Sequence, residues 1–166
     1  GFFAADGCLY KNKSSYVVSI TQHLNELEYL KKYCNIINFK KNISIGCSKT
    51  LYGKTQWARV QFASKEMFDD LINNFNIIEN KSLLLGPPPL ENETYISSFI
   101  RGYLDGDGHI LEKKYYTIGF TGTKLMLTWI KTILQEKCNA GNPTIIKEKN
   151  DEGKDTHSLR FCGRLQ

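Results

Sequence analysis

The strongest constraint in this 166-residue chain is a pattern that occurs twice, 101 residues apart, in which small residues fall four apart and an acid stands before a glycine. The fuller copy is Arg101-Gly102-Tyr103-Leu104-Asp105-Gly106-Asp107-Gly108. The other opens the chain as Gly1-Phe2-Phe3-Ala4-Ala5-Asp6-Gly7. Residues four apart lie on one face of a helix. Ser98, Gly102 and Gly106 therefore stack, as do Gly1 and Ala5, and two such faces allow two helix backbones to approach closely. Asp6 and Asp107 then fall at helix C-termini, where the macrodipole is already negative and a carboxylate calls for an offsetting positive charge. A divalent cation with oxygen ligands supplies one. Gly108 is expected to leave its helix in the left-handed region.

Competing explanations of the motif are weaker. As an EF-hand loop starting at Asp105, the sixth position would be Ile110 rather than Gly and the twelfth Tyr116 rather than Glu. As a membrane dimerisation helix, the apolar run is too short and is broken by Arg101, Asp105 and Asp107. A purely structural duplication leaves unexplained why an acid recurs at the same unfavourable place.

The two stretches resemble the paired motifs of the LAGLIDADG homing endonucleases, in the form that carries both copies on one chain. "RGYLDGDG" is a near-complete match. "GFFAADG" lacks the motif's first two residues and has Ala4 at its first acidic position. The resemblance implies an α+β fold of two pseudo-symmetric αββαββα halves. Their motif helices pack at the interface, and their antiparallel sheets form a DNA-binding saddle.

The rest of the chain reads in that order. Strands are expected around Cys8–Tyr10, Tyr16–Gln22, Asn42–Cys47 and Gln56–Phe62, and amphipathic helices through Leu24–Tyr33 and Lys65–Phe75. Ser64 caps the second helix. Trp57, Arg59 and Gln61 share one face of the last strand, while Ala58, Val60 and Phe62 share the other. Gly86-Pro87-Pro88-Pro89 cannot be helix or central strand and separates the halves. The expected domains are residues 1–82, a proline-rich linker over 83–93, and residues 94–166.

In the second half Tyr116–Thr121 aligns with Tyr16–Thr21. Thr123 caps a helix through Leu134, and strands follow at Pro143–Lys147 and Ser158–Cys162. Arg160 falls at the offset of Arg59. No counterpart of Lys65–Phe75 follows, so a closing helix is expected beyond the last residue.

The implied function is a sequence-specific endonuclease that makes a metal-dependent double-strand break in a long, asymmetric DNA target. The alternative is a catalytically silent DNA-binding regulator or an intron RNA maturase on the same scaffold. Metal ligands would be Asp6 and Asp107 with the carbonyls of Ala5 and Gly106. Mg²⁺ is the expected cation, with Mn²⁺ as a substitute and Ca²⁺ as a non-cleaving one. Gln22 resembles the polar residue that follows the family's second strand, with Thr121 or Gly122 at the matching place. Lys81 resembles its basic residue, there to order water or offset transition-state charge.

The expected DNA contacts are Lys11, Lys13, Ser19, Lys49, Lys54, Gln56, Arg59 and Gln61, with Lys113, Lys114, Lys147, Lys149, Ser158 and Arg160. Lysines would serve phosphates, and Arg and Gln bases. A formal charge of +5 suits a polyanionic partner. Five scattered cysteines without a CxxC pair point away from zinc and from a disulfide framework. No membrane partner is expected. A monomeric pseudo-dimer and an intracellular location are, with the host and any intron or intein context left open.

Overall fold

The computed structural model describes residues 1–50, 53–112, 116–149 and 155–163. The elements run α1 (Phe2–Asp6), β1 (Gly7–Asn12), β2 (Ser15–His23), α2 (Leu27–Ile36), β3 (Ser44–Thr50), β4 (Gly53–Ala63) and α3 (Lys65–Phe75). Then come α4 (Glu93–Asp107), β5 (Gly108–Glu112), β6 (Tyr116–Gly122), α5 (Lys124–Cys138), β7 (Ile145–Lys149) and β8 (Asp155–Gly163). The protein is thus α+β, with two antiparallel four-stranded sheets ordered β1-β2-β4-β3 and β5-β6-β8-β7. The repeat predicted from the motifs is present element by element through the eighth strand.

By contacts the chain forms two compact units. One comprises Asp6–Phe68, the other Gly1–Ala5 with Asp69–Gln166. In the first, the period of two along β4 works as the sequence implies. Ala58 and Val60 are buried with Leu9, Val18 and Ile20 of the neighbouring strands, under Leu30 and Cys34 of α2. Phe68 meets the ring of Tyr16 edge-on at 5.2 Å, closing the same face. A 3-10 turn at Leu24–Glu26 precedes α2, so the α-helix proper starts three residues later than the periodicity of Leu24 and Leu27 indicates.

The second unit is built on α4. Asn92 caps it through a side-chain oxygen that accepts from the Thr94 amide at 2.9 Å. Phe99, Ile100 and Tyr103 are its buried stripe. They share a core with Phe120 of β6, Leu159 of β8 and Met126, Leu127 and Ile130 of α5. The Trp129 ring meets Phe99 edge-on at 5.8 Å. The proline segment is strapped down. The Asn76 amide donates to the Pro87 carbonyl at 2.8 Å, and the Thr123 hydroxyl donates to the Leu85 carbonyl at 2.5 Å.

The small residues of the two motifs do bring backbones together. A Cβ on Gly102 would lie 2.7 Å from the Phe2 amide nitrogen and 3.3 Å from the Gly1 Cα. A Cβ on Gly1 would overlap the Phe99 carbonyl.

Gly108 departs from expectation. It ends α4 with φ −106° and ψ 171°, extended backbone rather than a left-handed cap, because it is already the first residue of β5. Its glycine answers to space instead. A Cβ there would run into the Leu104 side chain and carbonyl. Among the described residues, no helix is long and apolar enough to cross a membrane.

Candidate functional site

A cavity of about 770 Å³ opens in the second unit at the C-terminal end of α4. Asp107 lines it together with Ala4, Ala5, Lys81, Tyr103 and Thr123. The chain reaches this arrangement through a few specific bonds. Tyr103 sits one helical turn before Asp107, and its hydroxyl donates to the Thr121 carbonyl at 3.0 Å. Gly122 leaves room for that hydroxyl, since a Cβ on it would strike the Tyr103 oxygen. The end of α4, and Asp107 with it, is thereby tied to the end of β6. Thr123 holds a second side of the cavity. Its oxygen accepts from the Met126 amide at 3.1 Å, capping α5 as predicted, while its hydrogen goes to Leu85.

Lys81 lies in a short 3-10 turn, Lys81–Leu83, after Asn80 in the left-handed conformation (φ 56°, ψ 34°). Asn is among the few residues that tolerate that region. From there the half-buried Lys81 ammonium donates to the Ala5 carbonyl at the end of α1. The structure therefore brings together Asp107, Lys81 and the Ala5 carbonyl, which the sequence treats as separate assignments.

Asp6, the last residue of α1, and Gln22, near the end of β2, belong to the first unit by contacts. Gln22 keeps a buried Nε2 with no hydrogen-bond partner among the described residues. An amide in that condition costs on the order of 1–3 kcal/mol. Groups of three or more His, Cys, Asp or Glu able to hold a metal are absent among the described residues. The donors in question here are fewer carboxylates and backbone carbonyls. All five cysteines are free thiols.

The sheet faces sort the expected DNA contacts. In the first sheet Ser19 pairs with Gln61, Thr21 with Arg59 and Gly46 with Trp57, so these six share the face opposite Ala58 and Val60. Ser19 is 6% exposed, a short side chain between Cys8 and Gln61 in the register, and is no open contact. Register puts Lys49, Lys54 and Gln56 on the Ala58 side instead, because alternation is strict through β4. Lys11 is on that side too, with its ammonium 5.5 Å from the Tyr16 ring and 5.8 Å from the Phe68 ring. Lys13 occupies the β1–β2 turn with φ 53°.

In the second sheet Arg160 pairs with Gly119 and Ser158 with Thr121. Tyr116–Thr121 matches Tyr16–Thr21, so Arg160 stands at the rung of Gln61, and Ser158 at that of Arg59. The equivalence of Arg160 with Arg59 by sequence offset is corrected by two residues, which changes the rung and keeps the face. Ser158 is 2% exposed, and its hydroxyl donates to Glu148 at 2.6 Å. Arg160 reaches the same carboxylate oxygen at 3.2 Å. Lys147 and Lys149 lie on the opposite side, with Lys147 paired to Asp155 at 2.5 Å. Lys113 and Lys114 fall outside the described residues.

Sequence reasoning missed Thr21, Glu148 and His109. The His109 ring covers Gly119, on which a Cβ would overlap it. Register across the ladders, rather than alternation along one strand, puts all three on the polar faces.

No protein-family profile matches the sequence, and none of the curated proteins does. Solved structures do match. Full-length DUF199/WhiA from Thermatoga maritima aligns over 96% of this chain with a TM-score of 0.60 and 18% identity. This chain spans 47% of that one, about half its length. The homing endonuclease I-WcaI bound to its DNA recognition sequence aligns over 95% of this chain and 71% of its own, with a TM-score of 0.63 and 16% identity. I-DmoI in complex with DNA and Mn aligns over 96% of this chain and 84% of its own, with a TM-score of 0.56 and 23% identity. Together with the repeated motif helices and the paired sheets, these matches give the chain the LAGLIDADG fold, the fold of the LAGLIDADG homing endonucleases.

Proposed function

We propose that this protein is a site-specific, metal-dependent DNA endonuclease. The observation that carries the reading is Asp107 at the end of α4, on the wall of a cavity that also holds Lys81 and the Ala5 carbonyl. Asp6 follows Ala5 directly in the chain. Asp6 and Asp107, with the carbonyls of Ala5 and Gly106, would hold a divalent cation. All four donors are hard oxygens, the set that suits Mg²⁺ or Mn²⁺. The Ala5 carbonyl fits this use while bonded to Lys81, because a carbonyl oxygen has two lone pairs. The I-DmoI structures solved with DNA in the presence of Mn, Ca and Mg support divalent cation use. When bound, the cation supplies charge at the scissile phosphate and acidifies a water.

The remaining work falls to the chain's own groups. Lys81, anchored on Ala5, keeps a positive charge at the cavity and offsets charge that builds on the phosphate oxygens. Tyr103 and Thr123 fix the walls, so that Asp107 is oriented before substrate arrives. Gln22 carries a buried amide nitrogen in want of an acceptor, which an ordered water at the edge of the site can supply. The polar sheet faces, with Arg59, Gln61 and Arg160, contact the duplex. DNA as partner is supported by the DNA-bound relatives of this fold.

The LAGLIDADG domain of DUF199/WhiA also has this fold, and the second reading is a DNA-binding protein that does not cleave. Retention of both acids favours the nuclease over a silent DNA-binding protein. The test is cleavage of a randomised duplex library with Mg²⁺. Asp107→Asn should lose at least 10²-fold in rate with binding kept, and Lys81→Met should lose a similar factor, the size usual for one transition-state charge contact. Cleavage by Asp107→Asn at the parental rate would remove the catalytic assignment.

A further inference from the structure

The polar face of the first sheet holds one arginine in an unusual setting. Gly46 faces Trp57 across the β3–β4 ladder, and a Cβ on Gly46 would overlap the indole. The glycine thus lets the indole lie down over β3. On that ring stacks Arg59, two residues along the same strand, with its guanidinium carbon 4.7 Å from the ring centroid. Across the β2–β4 ladder Thr21 is the register partner of Arg59, and its hydroxyl oxygen accepts from Arg59 Nε at 2.9 Å. Ring and hydroxyl fix the plane of the guanidinium without neutralising it.

Arg160 of the second sheet is the contrast. Its charge is matched by the Glu148 carboxylate at 3.2 Å.

We propose that Trp57 and Thr21 are positioning residues that set Arg59 to read a single guanine in the major groove. The inference rests on the reading of this protein as one that binds duplex DNA. A guanidinium has five N–H donors. Nε is committed to Thr21, which leaves the four of the two terminal amino groups. Those are the donors of a bidentate contact to guanine O6 and N7. A long side chain in water pays rotamer entropy to adopt that pose. Here the pose is set before binding, so that cost is already met in the free protein. A lysine at 59 would keep the charge and lose the fork.

The experiment selects preferred duplexes from a randomised library with Ca²⁺ in place of Mg²⁺. It then measures Kd for duplexes that differ from the best one by single base pairs. The native protein should favour guanine at one position by about 5- to 150-fold. Arg59→Lys should flatten that position alone and leave the salt dependence of Kd as it was. Thr21→Val and Gly46→Val, which release the arginine without touching its charge, should reduce the same preference in part. Circular dichroism confirms that each variant is folded.

An unaltered guanine preference in folded Arg59→Lys overturns the assignment. So does a uniform loss of affinity across all sequences, which marks a phosphate contact. Failure of the native protein to select any duplex would instead sink the DNA-binding reading, and this inference with it.

Discussion

Gly102→Ala separates two accounts of the motif by the sign of its effect. In an ordinary exposed helix interior this change stabilises by about 1 kcal/mol, because alanine loses less backbone freedom than glycine. Position 102 is not ordinary. The new Cβ would stand 2.7 Å from the Phe2 amide nitrogen, 3.3 Å from the Gly1 Cα and 3.4 Å from the Gly1 carbonyl carbon. Ordinary contact starts near 3.4 Å, so the backbones must part by roughly 0.7 Å. Both obstacles are main chain and cannot swing aside as a side chain would. Overpacking of this kind costs about 1–3 kcal/mol. Set against the propensity gain of about 1 kcal/mol, the net is a loss of up to about 2 kcal/mol. Gly102→Val adds two methyl groups and recovers less propensity, so its loss should be larger, about 2–3 kcal/mol.

Urea denaturation of the whole protein, with Ser97→Ala on the exposed side of α4 as control, reads this out. A midpoint that falls for Ala and falls further for Val is the expected result. A rise in stability for Gly102→Ala would refute the close packing of the two motif segments. Because Asp107 ends the same helix, cleavage in Mg²⁺ should fall along with stability across the series.

Two further measurements probe the framework. Thr123→Ala removes the α5 cap and the bond to Leu85 together, and should cost about 1–3 kcal/mol by denaturant melting, while Thr123→Ser stays near the parent. Burial, and secondarily the neighbouring Cys34, push the Tyr33 hydroxyl up to about 12. The neutral phenol is therefore favoured in the folded state. Its stabilisation is complete below the unfolded value of about 10 and is lost as pH rises from there through about 12. Tyr33→Phe should flatten the alkaline fall in stability over that window, and an unchanged profile would contradict it.

Much of the fold was legible because local chemistry and global plan agree. The period of two along Gln56–Phe62, the caps Ser64 and Thr123, and the repeated small-residue helices each specify their own element. The candidate site was legible less evenly. Asp107 stands out in the motif and Lys81 is what the family resemblance implies, but nothing local says that Lys81 bonds the Ala5 carbonyl 76 positions away. The lysines are the least legible. A lysine in a strand reads as solvent-facing on either side of the sheet, and only register puts Lys11, Lys49 and Lys54 on the Ala58 side.

What the chain determines by itself is periodic and short-range: which residues alternate, where helices start, and where two backbones can nearly touch. Register between strands is different. It depends on how many residues the connections absorb, and an offset counted along the sequence carries any such difference as an error. Arg160 therefore stands at the rung of Gln61 and not at that of Arg59, two residues from where the offset points. The indole laid over Gly46, the hydroxyl against Arg59 and the cavity at the end of α4 join residues remote in sequence, and only the folded chain could decide them.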